Sequence, residues 1–138
     1  MNILVDTCVW SEAFRRSGRQ GNNPVADHLL ELIREGRVLM LGPVRQETLS
    51  GIRDKRQFLR LKEFLREFPD IALVSEDFEA AADLYNQCRA SGIQGSNTDF
   101  LICAVAARIR AAIFTTDRDF RIFAKHADIL LHEIGRKG

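Results

Sequence analysis

Long apolar runs are missing from this chain of 138 residues. None approaches the roughly 20 consecutive apolar residues that a membrane span needs, and the first residues lack the basic start and apolar middle of a secretory leader. A cytosolic location is the expectation. Cysteine is scarce: Cys8, Cys88 and Cys103 stand far apart. An odd, dispersed set argues against a disulfide framework, and no Cys-x-x-Cys pair offers a zinc site. Cys88 and Cys103 read as small apolar residues inside helices. The three histidines, His28, His126 and His132, show no ligand spacing, and surface or core-edge roles are expected for them. No Walker-type glycine loop and no G-x-G-x-x-G occurs. Charge of one sign is also lacking, since the net value is +1, so the whole-chain field does not announce a nucleic-acid partner. Lysine is rare, 4 against 16 arginines. Guanidinium suits phosphate well, and solvated helix faces explain the bias equally.

What is present is an alternation. Apolar runs recur at Ile3–Val5, Val38–Leu41, Ile71–Val74, Ala111–Phe114 and Ile129–Leu131. They do not alternate with polar residues, which is how strands buried on both faces of a parallel sheet read. Between them lie stripes at helical spacing: Val25, Leu29, Leu32 and Ile33, then Phe58, Leu61, Phe64, Leu65 and Phe68, then Phe78, Ala81, Ala82, Tyr85 and Cys88. Trp10 and Phe14 share a helical spacing and are expected in the core. This pattern predicts an α/β fold over residues 1–138, one domain, with a mostly parallel sheet of about five strands and right-handed crossovers. Residues 16–23 (RSGRQGNN) read as a flexible loop, residues 92–96 (GIQGS) as a second break, and the tail from Gly135 as frayed.

Four acids punctuate the alternation. Asp6 follows the first strand, Glu47 falls in or near the first turn of a helix opened by Pro43, Asp99 opens an almost wholly apolar helix, and Asp117 follows the fourth strand through Thr115 and Thr116. Each has a plain alternative: Asp is a favoured helix cap, and acids in a first turn complement the helix dipole. Together they strain that account. In a parallel sheet all four would face one edge, where open α/β sheets bind ligands. Two carboxylates about 6 Å apart repel by roughly 3 kcal/mol at an effective dielectric of about 20, and a hard divalent cation is the usual relief. Asp119 is a further candidate, as an outlying ligand through water or as the partner of an arginine. An aspartyl-phosphate enzyme with an Asp-x-Asp pair after its first strand would need an acid at position 8, which is Cys8.

These pieces, Ile3-Leu4-Val5-Asp6-Thr7-Cys8-Val9-Trp10, Glu47, Asp99-Phe100-Leu101-Ile102-Cys103-Ala104 and Thr115-Thr116-Asp117-Arg118-Asp119-Phe120, resemble those of the PIN-domain ribonucleases, and closely those of the VapC-type toxins of toxin–antitoxin modules. The resemblance spans essentially the whole chain. It implies a three-layer α/β/α domain and a metal-dependent endoribonuclease. In it Asp6, Glu47, Asp99 and Asp117 would form the acidic set for Mg²⁺ or Mn²⁺, and Thr115 would be a supporting hydroxyl. One departure stands out: the family usually carries Ser or Asn where this chain has Cys8. The resemblance also implies an RNA substrate, a cognate VapB-type antitoxin and a homodimer. A housekeeping RNA-processing nuclease without an antitoxin, or a non-catalytic α/β binding module whose acids merely cap helices, are the alternatives. Arg15, Arg16 and Arg19, and a second group of Arg53, Lys55 and Arg56, are candidates for tracking phosphates.

Overall fold

The structure, a computed structural model, describes residues 1–15 and 23–135. Among these residues four parallel strands make the sheet, in the order β2-β1-β3-β4. They are β1 (Ile3–Val5), β2 (Val38–Leu39), β3 (Ala112–Phe114) and β4 (Leu130–Leu131). Leu4 pairs with Leu39 on one side and Ile113 on the other, and Ile113 pairs in turn with Leu131. Every residue of β1 and β3 is buried. Successive strand residues point to opposite faces, so both faces of the sheet centre are covered, which makes the layering α/β/α.

Among the described residues seven helices connect the strands: α1 (Thr7–Arg15), α2 (Pro24–Arg34), α3 (Gly42–Leu49), α4 (Lys55–Leu65), α5 (Ser75–Ala90), α6 (Asn97–Ile109) and α7 (Asp119–Phe123). Pro24 opens α2 at a position where its missing N–H costs nothing, with the Asn23 side chain accepting from Ala26 N–H. Asp54 caps α4 by accepting from Arg56 and Gln57 N–H. The most apolar helix, α6, buries Phe100, Leu101, Ile102, Cys103, Val105 and Ala106. It ends at Arg110 in the left-handed region (φ 57°) and turns straight into β3. The chain reverses there, so the first turn of α6 is carried toward the carboxyl end of the sheet. Arg108 of α6 reaches the buried Asp77 of α5 with two hydrogen bonds, of 2.6 and 2.9 Å. Arg45 of α3 binds Asp70 and the Leu65 and Phe68 carbonyls, tying α3 to the end of α4.

Two expectations change. Residues Ile71–Val74 do not form a fifth strand. Only Asp70 bridges Met40, with Ile71 N–H donating to the Met40 carbonyl, and Ala72 and Val74 are exposed. An apolar run at a sheet margin lacks a neighbour on its outer side and leaves the ladder after one bridge. In α5 the buried stripe is Asp77, Ala81, Leu84 and Cys88; Phe78 is 54% exposed, and its neighbour Asp77, paired with Arg108, takes the buried place instead. Trp10 is fully buried and stacks on Phe14 at 6.1 Å.

Candidate active site

The register of β1 on β3 builds the centre of the site. Val5 pairs with Phe114, so the residues that follow them, Asp6 and Thr115, leave the sheet side by side. Asp6 N–H donates to the Phe114 carbonyl. The Asp6 carboxylate is 5% exposed and fully engaged. Oδ1 accepts Thr7 N–H at 2.8 Å, while Oδ2 accepts the Thr115 hydroxyl at 2.8 Å and the Cys8 thiol at 3.3 Å. Burial pushes its pKa above the usual carboxylate range, these hydrogen bonds pull it down, and the charge of Asp117 pushes it up again.

Thr115 links Asp6 to Asp117. Its hydroxyl oxygen accepts Asp117 N–H at 3.0 Å while donating to Asp6. Asp117 Oδ1 accepts Asp119 N–H at 2.9 Å, fixing the entry to α7. Asp119 is exposed, in the first turn of that short helix, and among the described residues no arginine pairs with it.

Asp99 is the third residue of α6 and closes a reciprocal cap: its Oδ2 accepts Ser96 N–H, and Ser96 Oγ accepts Asp99 N–H, both at 3.1 Å. The carboxylate is half-buried. Burial raises its pKa, the Ser96 bonds lower it, and Asp6 and Asp117 raise it further. Asp99 therefore does cap its helix, and it does so within electrostatic reach of the other two aspartates. Cys103, one turn along, has its thiol pushed up to about 12 by burial and then by Asp99.

Glu47 is exposed and lies in the second turn of α3, not the first. The dipole account of it weakens accordingly, since that effect fades beyond the first turn. What holds Glu47 is the Thr7 hydroxyl, which donates to its Oε1 at 2.8 Å. The result is a chain of contacts running Glu47–Thr7–Asp6–Thr115–Asp117, with Asp99 alongside. Cys8 belongs to it: its sulfur lies 3.4 Å from Thr115 Oγ1 and accepts Thr116 N–H at 3.4 Å. Burial and the Asp6 charge keep it a thiol by raising its pKa.

Among the described residues none of the four acids is in an ion pair with Arg, Lys or His. Nor do any three Asp, Glu, His or Cys side chains close into a ready metal cage there. The donors are all hard carboxylate oxygens; Asp6 and Asp99 are partly desolvated, Glu47 is exposed, and among the described residues no cationic side chain neutralises them. That fits a cation that takes few protein ligands and keeps several waters, as Mg²⁺ does, better than one demanding a closed cage.

Of the proposed phosphate-tracking residues, Arg15 closes α1 and Arg16 and Arg19 lie outside the described residues. Arg53, Lys55 and Arg56 are exposed at the start of α4. One arrangement was not foreseen from sequence. His28 and His132 meet with Nε2 atoms 2.7 Å apart, their rings stacked at 4.9 Å and both edge-on to Phe114. They are 104 positions apart, and no spacing announces them.

Comparison with known proteins gives a consistent result. The family model for the PIN domain matches residues 3–126. A VapC ribonuclease of Mycobacterium bovis and ribonuclease VapC11 of Mycobacterium tuberculosis are each 34% identical over 125 residues, covering 89% of this chain and 92% of the relative. Among solved structures, VapBC2 from Rickettsia felis bound to a DNA fragment from its promoter aligns with a TM-score of 0.74 at 18% identity, over 96% of this chain and 98% of that one. FitAcB from Neisseria gonorrhoeae aligns with a TM-score of 0.73 at 21% identity, over 98% and 99%. At these identities the two structures speak to the fold.

Proposed function

Because this chain belongs to the PIN-domain family, and within it to the VapC-type proteins, we propose that it is a Mg²⁺-dependent endoribonuclease acting as the toxin of a toxin–antitoxin pair. The observation that carries the reading is that Asp6, Asp99 and Asp117 lie near enough for their charges to act on one another, Asp6 and Asp99 partly desolvated, with no cationic side chain to offset them among the described residues. Carboxylates left that way raise one another's pKa and cost stability; a site that binds a cation is the arrangement in which the cost has a use.

Asp6 and Asp99 would hold the ion directly, with Glu47 and Asp117 completing its surroundings or orienting water; Mn²⁺ could replace Mg²⁺. A bound divalent cation supplies charge to polarise a phosphoryl oxygen and to acidify a water. The chain's own residues do the rest. Thr115 fixes Asp6 Oδ2 and the Asp117 backbone with one hydroxyl. Thr7 anchors Glu47, the exposed member of the set, at the mouth where an RNA phosphodiester would arrive. No histidine base is needed; the only histidine pair among the described residues packs on Phe114 and bonds to itself. The partners of the reading are an RNA substrate, a VapB-type antitoxin and a second copy of the chain.

The test is cleavage of single-stranded RNA by purified protein with Mg²⁺ or with chelator. The expectation is cleavage with Mg²⁺ only, and a loss of about 10³-fold or more in Asp99→Asn, the scale on which catalytic charge stabilisation operates. Full activity in Asp99→Asn, or in chelator, overturns the assignment. Growth arrest on expression, relieved by a co-expressed antitoxin, tests the toxin role.

A further inference from the structure

Beside the acidic pocket lies an open groove of about 850 Å³ that no acid of the proposed centre lines. Thr48, next to Glu47 on α3, lines one end, and Ser11, one turn beyond Thr7 on α1, lines the same end. Phe14, a further turn along α1, continues the wall. Phe14 and Phe64 meet edge-on at 4.9 Å and, with Ile52 and Leu61, give the groove an apolar, partly aromatic floor.

Its rim is cationic. Arg53 and Arg60 both line it and both are exposed. The contrast with the structural arginines is informative. Arg37, Arg45 and Arg108 are each held in an ion pair, whereas Arg53 and Arg60 have no hydrogen bond or ion pair among the described residues. Asp54 is the acid on this rim, and its Oδ1 already accepts two backbone N–H groups as the cap of α4. Two uncommitted guanidiniums over an aromatic floor complement a chain of phosphates carrying flat rings: guanidinium matches phosphate, and base–aromatic stacking is the sequence-tolerant means of holding a single strand.

Resting on the nuclease reading, we propose that this groove binds the single-stranded RNA adjoining the scissile phosphate, with Arg53 and Arg60 on the backbone and a base against the Phe14–Phe64 floor. It supplies the positive surface that the near-neutral chain lacks overall, next to the acids that would otherwise repel the substrate.

The experiment compares wild-type protein with the Arg53→Ala/Arg60→Ala double variant. Binding of a labelled single-stranded oligoribonucleotide is followed by anisotropy in chelator over a range of salt, and cleavage is followed in Mg²⁺. Both side chains are exposed and, among the described residues, without hydrogen-bond or ion-pair partners, so the fold is not at risk. Loss of two phosphate contacts should weaken binding about 10-fold and flatten the slope of log K against log salt by roughly 1.4. KM should rise with kcat unchanged, and Arg53→Lys/Arg60→Lys should recover most of the slope. Unaltered affinity, slope and KM in the alanine variant overturn the groove assignment while cleavage, and with it the nuclease reading, stands. A wild-type protein that binds RNA through the two arginines but cleaves nothing supports the groove and removes the nuclease reading. If the alanine variant binds RNA normally but escapes a co-expressed protein inhibitor, the groove is a protein site and the proposal fails.

Discussion

Cys8 shows how one side chain can depart from a family pattern and still serve its place. Its thiol donates to Asp6 Oδ2 and its sulfur accepts Thr116 N–H, so it closes the contact between the strand ends that Thr115 makes from the other side. A thiol is a weak donor, and the 3.3 Å contact is long beside the 2.8 Å bond from Thr115. Side chains that orient a metal ligand typically matter by about 10- to 100-fold. Cys8→Ala should therefore lower activity by about 10-fold at limiting Mg²⁺, and Cys8→Ser should keep or improve it. A titration of cleavage rate against Mg²⁺ reads both, and an alanine variant indistinguishable from wild type would show that Thr115 and Thr7 orient Asp6 unaided.

Among the elements, the first turn of α6 is the piece whose placement matters most, and a glycine governs it. A Cβ on Gly95 would meet Phe100 Cζ and Phe123 Cζ, each at 2.8 Å. Both rings are fully buried, so they cannot swing aside. Gly95→Ala should cost about 1–3 kcal/mol by overpacking, measured by denaturant unfolding, and should also disturb the Ser96–Asp99 cap and so reduce cleavage. At the far edge of the sheet, the His28–His132 contact latches α2 to the end of β4. Burial, then His28 and Arg37, lower the pKa of His132, with Glu35 opposing; Glu31 faces His28 from the next turn of α2. A depressed imidazole contributes its stability above about pH 6.5, and loses it as pH falls through that value. Wild type should exceed His132→Gln by about 1 kcal/mol at pH 7.5, and the gap in Tm should narrow by pH 5. A gap that widens on acidification would contradict the latch. The sequence disclosed the central elements and hid these two. Ile3–Val5 and Ala112–Phe114 are legible because a strand covered on both faces must be apolar throughout. The four acids are legible because each stands at the end of such a strand or near the start of a helix. Ile71–Val74 misled because an apolar run says nothing about whether a neighbouring strand exists. Glu47 sits one residue deeper than a start at Pro43 implies, in the second turn, because α3 starts at Gly42. The histidine latch and the place of Arg60 on the groove depend on packing between distant segments, which no local spacing encodes.

For the whole molecule, the proposed metal site would couple stability to the ion. Asp6 and Asp99 hold raised pKa values, so their ionised forms detract from stability at neutral pH, and that stability returns only on acidification or on cation binding. Asp99→Asn should raise Tm by roughly 2–4 °C in metal-free buffer, the shift that about 1 kcal/mol produces at this chain length. Mg²⁺ at about 100 times its Kd should stabilise wild type by about 2.7 kcal/mol and Asp99→Asn by far less. Thermal scans with and without Mg²⁺ test both, and a variant that responds to the ion in full would remove Asp99 from the ligand set. No helix among the described residues is long and apolar enough to cross a membrane.

The bond between Asp6 and Thr115 spans 109 positions of sequence. Synthesis delivers Asp6 long before Thr115, so this contact cannot close until the residues between them have been made. A chain that stops short of Thr115 carries three of the four acids and lacks the hydroxyl that ties Asp6 to the Asp117 backbone.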